Sequence, residues 1–254
     1  MNIYRTAPVL VVALGLNGCG IVSEGRDILA GLTNPLVVQT LVLGVELPDG
    51  TDDITFPEEF SAGSSGTAFL ADAGNVADLE NAPISGAEVL MQGEELDESG
   101  PGAYTLAPGT LPYAAGQDWS LRISTGGNRE ASARIALAPA ADFDLPLVHS
   151  AGSGLNIDLT GQGFDGAFVV VNDAEGNITF DNRPEGIREF YDFTRGEPAG
   201  LIEIPGDAFP DAGPYAIGVA GIQTTTGRAN MERMNTALST MMSGNLVFEP
   251  IIVE

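Results

Sequence analysis

Short apolar stretches, separated by turns rich in Asn, Asp, Gly and Pro at spacings of about ten residues, run through most of the chain. In 118–124, Trp119, Leu121 and Ile123 alternate with Ser120, Arg122 and Ser124. In 155–160, Leu155, Ile157 and Leu159 alternate with Asn156, Asp158 and Thr160. A period of two marks a strand with one face buried. The pattern predicts strands over 36–47, 67–71, 84–91, 103–106, 118–124 and 130–137, the first closed by the turn Pro48-Asp49-Gly50. A second series follows over 155–160, 167–173, 177–181, 201–204, 215–222 and 246–253, with Asp173 to Asn177 as a hairpin loop. Between the two, 138–154 is rich in small residues, Pro and Gly around one extended piece, 143–148. Two antiparallel β-sandwich domains are therefore expected, over 35–148 and 149–254. One stretch departs from period two. Met231, Met234, Leu238 and Met241 fall at i, i+3, i+7 and i+10 with Gly244 beyond them, which predicts one short helix near the C-terminus. Such methionines can form a pliable binding stripe, but the expectation is that they cover the sandwich edge.

The first residues follow another pattern. A start with one positive charge, Arg5, leads into an apolar run from Ala7 to Leu16. Spanning a bilayer as a helix takes about 20 residues, so this run reads as the h-region of a secretory signal peptide. It ends in Leu16-Asn17-Gly18-Cys19, and Cys19 is the only cysteine in the chain. This stretch resembles the lipobox of bacterial lipoproteins, in which an aliphatic residue and small residues precede a cysteine. The resemblance implies that 1–18 is removed, that the Cys19 thiol is diacylglycerylated and the new amino terminus acylated, and that 19–34 is anchor and tether. Gly20, where the family's sorting rule would read Asp as inner-membrane retention, implies the outer membrane of a bacterial cell envelope. Each buried methylene of the acyl chains contributes about 0.8 kcal/mol, enough for lasting attachment when two or three chains act together.

A second resemblance lies in Ile84-Ser-Gly-Ala-Glu-Val-Leu-Met and Pro101-Gly-Ala-Tyr-Thr-Leu. Gly86, Ala87 and Val89, then Gly102 and Tyr104, are similar to paired elements of transthyretin-like, carboxypeptidase-regulatory sandwiches. The resemblance implies an all-β chain of Ig-like or transthyretin-like sandwiches, with the glycine making a turn and the tyrosine packing on the sheet.

Charge narrows the partners. The formal net charge is −25, and all ten basic residues are arginine. Such a surface repels nucleic acid and anionic head groups. Without lysine there is no Schiff-base or P-loop lysine, and with Cys19 lipidated there is no thiol nucleophile, disulfide or thiolate zinc site. One histidine, His149, cannot make a multi-histidine metal site, and it is expected as a polar connector residue. Gly161-Gln-Gly163-Phe-Asp-Gly166 matches a dinucleotide fingerprint by letter, but a strand pattern follows where a helix is required.

Carboxylates remain. Asp49, Asp52 and Asp53 share one turn, Asp142 and Asp144 another, and Asn172, Asp173 and Glu175 a third. Calcium takes six to eight oxygens in flexible geometry, so Asp49, Asp52 and Asp53 are the candidate metal ligands. Tyr104, Tyr113 and Trp119 are candidates for a sugar-stacking platform, with Trp119 expected in the core. The function expected is a non-enzymatic binding or structural module of the envelope, contacting another protein or a surface glycan. The alternatives are a calcium-dependent adhesion or stability module and a carboxylate hydrolase.

Overall fold

In a computed structural model the described residues are 34–47, 54–57, 60, 62–72, 82–126, 129–184, 189, 192–193, 198–226 and 230–254. The chain is all-β. In order the strands are β1 (Leu36–Glu46), β2 (Gly63–Asp72), β3 (Glu88–Met91), β4 (Glu94–Glu95), β5 (Asp97–Gly100), β6 (Ala103–Leu106), β7 (Asp118–Thr125) and β8 (Arg129–Ala136). They continue with β9 (Val148–His149), β10 (Leu155–Asp158), β11 (Gly166–Asp173), β12 (Ile178–Asp181), β13 (Leu201–Ile204), β14 (Gly213–Thr225), β15 (Met231–Glu232) and β16 (Thr240–Val253). Alternation places most of them: β7 buries Trp119, Leu121 and Ile123 and exposes Asp118, Ser120 and Arg122.

The largest sheet has the order β12-β11-β14-β16-β1-β2-β6-β5, with β9 pairing on β16. Strands from both sides of residue 148 therefore share it. The join is the parallel pair β1–β16, in register from Gln39↔Thr240 to Glu46↔Val247. Both strands are long and apolar on both faces, as central strands require. A second sheet, β15-β8-β7-β3-β4, lies across the β1-β2-β6 end. A small pair, β10-β13, lies across the β11-β14 end.

Three apolar cores result. The first holds Val38, Val42, Leu70, Tyr104, Trp119, Leu121 and Ile135 between the large and the five-stranded sheet. The second holds Ile157, Val169, Val171, Phe209, Ile217 and Ile251. The third lies on the opposite face of the large sheet, where Ile54 and Phe60 cover Leu43, Phe168, Leu246 and Phe248. Strand β16 serves all three, through Met241, then Leu246 and Phe248, then Ile251 and Val253.

The short helix expected around Met231 to Met241 is not formed. Residues 231–232 pair with β8 instead, and β16 begins at Thr240. Two features divert the backbone. Arg233 adopts a left-handed φ of 57°. Asn235 donates its N–H to Leu36 O (2.7 Å), while its side-chain oxygen accepts from Ala237 N and Leu238 N, each at 3.1 Å. That is a turn closed by an asparagine side chain, an alternative to helix that this residue type favours. The spacing of Met231, Met234 and Met241 reflects burial all the same, since all three reach the first core.

The two pieces of the 84–106 motif meet in one corner. Tyr104 Oη donates to Ile84 O and accepts from Ala87 N, both at 2.9 Å, and burial pushes the Tyr104 hydroxyl above its ordinary pKa. Gly102, at φ +69°, is required there, because a Cβ would stand 2.6 Å from Leu70 O. Glu98, on the neighbouring strand, is held below the usual glutamate range by Ser85 and by the N–H of Gly86, which donates to it at 2.9 Å. Tyr104→Phe leaves the Ala87 N–H and Ile84 carbonyl without their partner. Urea denaturation is expected to show a loss of about 1–3 kcal/mol.

Candidate functional site

Cys19 and the three aspartates Asp49, Asp52 and Asp53 lie outside the described residues. Among the described residues, no group of three or more His, Cys, Asp or Glu is placed to hold a metal ion.

Several other aspartates accept hydrogen bonds from nearby turns and loops. Asp173 accepts from Asn177 N and Asn177 Nδ2, both at 2.8 Å, which closes the β11–β12 hairpin where the sequence places it. Asp158 accepts from Thr160 N (2.9 Å), and the Thr160 hydroxyl and N–H hold its carboxyl below the ordinary range. Asp165 accepts from Thr224 N and Thr224 Oγ1 at 2.8 Å. Asp142 is joined to Gln162 through its backbone, with its N–H donating to Gln162 Oε1 at 2.9 Å. Asp181 pairs with Arg183, whose guanidinium also stands 4.9 Å from the Phe60 ring centre. These contacts orient turns.

The glycine-rich stretch behaves as its strand pattern predicts. Gly161 and Gly163 take positive φ, and Gly166 opens β11 rather than a helix, so no helix N-terminus is there to receive a pyrophosphate.

His149 lies on β9. Its Nε2 is 2.8 Å from Ser153 O, and its ring stands edge-on to Phe209 with centres 4.8 Å apart. The histidine ends a two-residue strand within the connection, with its ring set against the second core.

The three aromatic candidates do not make a surface platform. Trp119 and Tyr104 are buried in the first core. Tyr113 lies over Gly44, where a Cβ would meet its ring at 2.5 Å, and its hydroxyl donates to Ala138 O at 2.9 Å. Burial raises the Tyr113 hydroxyl well above its ordinary pKa.

Among the described residues lie two shallow concavities that the sequence did not single out. One, of about 260 Å³, lies on the outer face of the five-stranded sheet. There Glu88, Ser124 and Glu130 form one cross-strand row, and Leu90, Arg122, Ser132 and Glu232 the next. Acceptors and donors alternate across it. The other, of about 320 Å³, lies over Leu41, Leu43 and Phe69, with Ser65, Thr67, Asp181 and Arg183 at its margin. The signal for the first was present in the sequence as the polar positions of β3, β7 and β8; only strand order sets those positions side by side. Large exposed apolar side chains lie elsewhere: Leu147 (91%), Val148 and Ile252, where β9 pairs with the end of β16, and Leu201 and Ile178 on β13 and β12.

Neither a protein-family model nor a curated protein matches the chain. Among solved structures it is similar to SGBP-B of the Bacteroides ovatus mixed-linkage glucan utilization locus, in complex with mixed-linkage heptasaccharide. That likeness has 11% identity and a TM-score of 0.21, over 66% of this chain and 36% of that one. It is also similar to extracellular domains 3–5 of Drosophila OTK, at 8% identity and a TM-score of 0.19, over 84% of this chain and 61% of that one. A third likeness, to the IG1+IG2 portion of DIP-gamma, has 8% identity and a TM-score of 0.20, over 83% and 97% of the two chains. TM-scores this low carry no argument about ligand or partner.

Proposed function

We propose that the chain is a lipid-anchored, non-enzymatic module of the bacterial outer membrane, which holds its β-sheets at the surface of the bilayer to contact an envelope protein or a glycan. The observation that carries this reading is the lone cysteine, Cys19, placed directly after a short apolar run and Leu16-Asn17-Gly18. Support comes from the path of the chain. Only fourteen residues separate Cys19 from Asn34, and β1 then enters the interior of the large sheet. A membrane foot is thereby coupled to the most central part of the fold, not to a peripheral strand.

The use of the carboxylates fits a scaffold better than a hydrolase. Asp158, Asp165, Asp173 and Asp181 each serve a turn or a neighbouring loop. The polar concavity over β3, β7 and β8 mixes carboxylates, arginine and serine hydroxyls, a surface suited to a hydroxyl-rich or polar partner.

Mass spectrometry of the native product tests the anchor. The expected amino terminus is residue 19, carrying acyl chains on sulfur and nitrogen. Cys19→Ser is expected to move the protein from the membrane fraction to the soluble fraction. An unmodified Cys19 thiol in the native protein, or unchanged membrane association of the variant, contradicts the proposal.

A further inference from the structure

We propose that the fold carries tension, with β1 and β16 forming a shear clamp between the amino-terminal end of the molecule and its opposite pole. The chain enters β1 at Asn34. There Asn34 Nδ2 donates to Arg233 O (2.8 Å) and Asn235 Nδ2 donates to Asn34 O (3.0 Å), so the entry point is tied to the segment that leads into β16. Both strands then run away from that point in the same direction. At about 3.3 Å per residue the fourteen residues of β16 cover roughly 45 Å, and its carboxyl end lies beyond the end of β1 at the far pole.

Direction decides how this pair responds to a pull. When the start of β1 is fixed and the end of β16 is drawn away, the two strands slide along one another. The ladder from Gln39↔Thr240 to Glu46↔Val247 is then loaded as a whole. An antiparallel pair in the same place would have its two loaded ends side by side and would open one bond at a time.

The other edge of β1 is held as well, by β2 in antiparallel register from Leu36↔Asp72 to Val45↔Gly63. Both faces resist sliding. Leu36, Val38 and Val42 sit in the first core and Leu43 and Val45 in the third. A slip of one residue would exchange the two faces of the strand. The geometry assigns β1 the part of a strand that cannot leave without shearing two ladders and uncovering two cores at once. Its biological sense rests on the lipid-anchor reading, because that is what fixes the amino-terminal end; the mechanics do not.

Force spectroscopy separates the two. The chain from residue 19 onward, unlipidated, is held by its single thiol at Cys19 and by a tag after Glu254. In a second geometry, Ala237→Cys, exposed in the turn just before β16, supplies the other attachment, so that β1 and β16 are pulled apart from the same end. Asp72→Cys, at the matching end of β2, does the same for β1–β2 and serves if the first variant does not fold. At one loading rate the end-to-end geometry is expected to rupture at a force at least about twofold higher than either same-end geometry, a difference set by the unfolding barrier along the pulling path. Equal forces, or a lower end-to-end force, overturn the clamp. An unlipidated native Cys19 together with the twofold ratio refutes the anchor and leaves the clamp standing; a lipidated Cys19 with a ratio of one does the reverse.

Discussion

Phe248→Ala is expected to lower the free energy of unfolding by about 3–5 kcal/mol, the range for truncating a fully buried aromatic ring. Phe248 has no exposed surface and stands edge-on to Phe56 and Phe60, with ring centres 5.1 and 5.3 Å away. Each such aromatic pair contributes about 0.5–1.5 kcal/mol beyond the area it buries. The ring also fills the space over Gly218, where a Cβ would come within 2.6 Å of it. Alanine leaves a cavity over the bare backbone of Gly218. Phe248 is moreover the point at which Phe56 and Phe60 are held against the large sheet, so the loss falls on the third core. Urea denaturation should show a lower midpoint with an unchanged slope. A loss under about 1 kcal/mol, the centre of the range for ordinary substitutions, would mean that Phe56 and Phe60 do not cover the sheet as described.

Met241→Ala is expected to cost about 2–5 kcal/mol, and to do so at a distance along the chain. Met241 belongs to β16, yet it is buried in the first core with Trp119, Leu121 and Val38. Its sulfur also accepts from the buried Thr40 hydroxyl at 3.1 Å, and truncation removes that acceptor. Trp119 is the only tryptophan, so its fluorescence reports the first core alone. The Trp119 transition should move to lower denaturant in Met241→Ala and stay within about 1.5 kcal/mol of the parent in Met241→Leu, which nearly conserves volume. A Trp119 transition unmoved by Met241→Ala would show that the first core closes without β16.

Much of the strand framework could be read from period and punctuation. The alternation of Trp119, Leu121 and Ile123 gave β7 with the correct face inward, and Asp173 to Asn177 gave the β11–β12 turn. These features depend on neighbours within a few residues, which the sequence displays directly. Among the strands that were not legible, β4, β5 and β15 are two to four residues long and carry Glu94, Glu95, Asp97, Glu98 and Glu232. Their polar composition suits sheet edges and leaves no apolar period to detect. The expected helix failed for the opposite reason. Met231, Met234 and Met241 have a helical spacing, but the backbone of Asn235 is taken by Leu36 O, nearly two hundred residues earlier in the chain.

The candidate chemistry divided along the same line. From residue types alone came the lone Cys19 and the apolar run before it, the strong negative charge, and the absence of lysine. These properties need no fold to be true. Tertiary structure decided that Tyr104 closes a corner with Ile84 and Ala87, that Tyr113 lies over Gly44, and that Arg122 stands among glutamates from neighbouring strands. It also decided that β1 and β16 run side by side in the same direction. Periodicity tells a strand which face to bury but not which strand to lie beside. That choice depends on matching two apolar faces over the length of the sheet, and only the folded chain brings β1 and β16 together to make it.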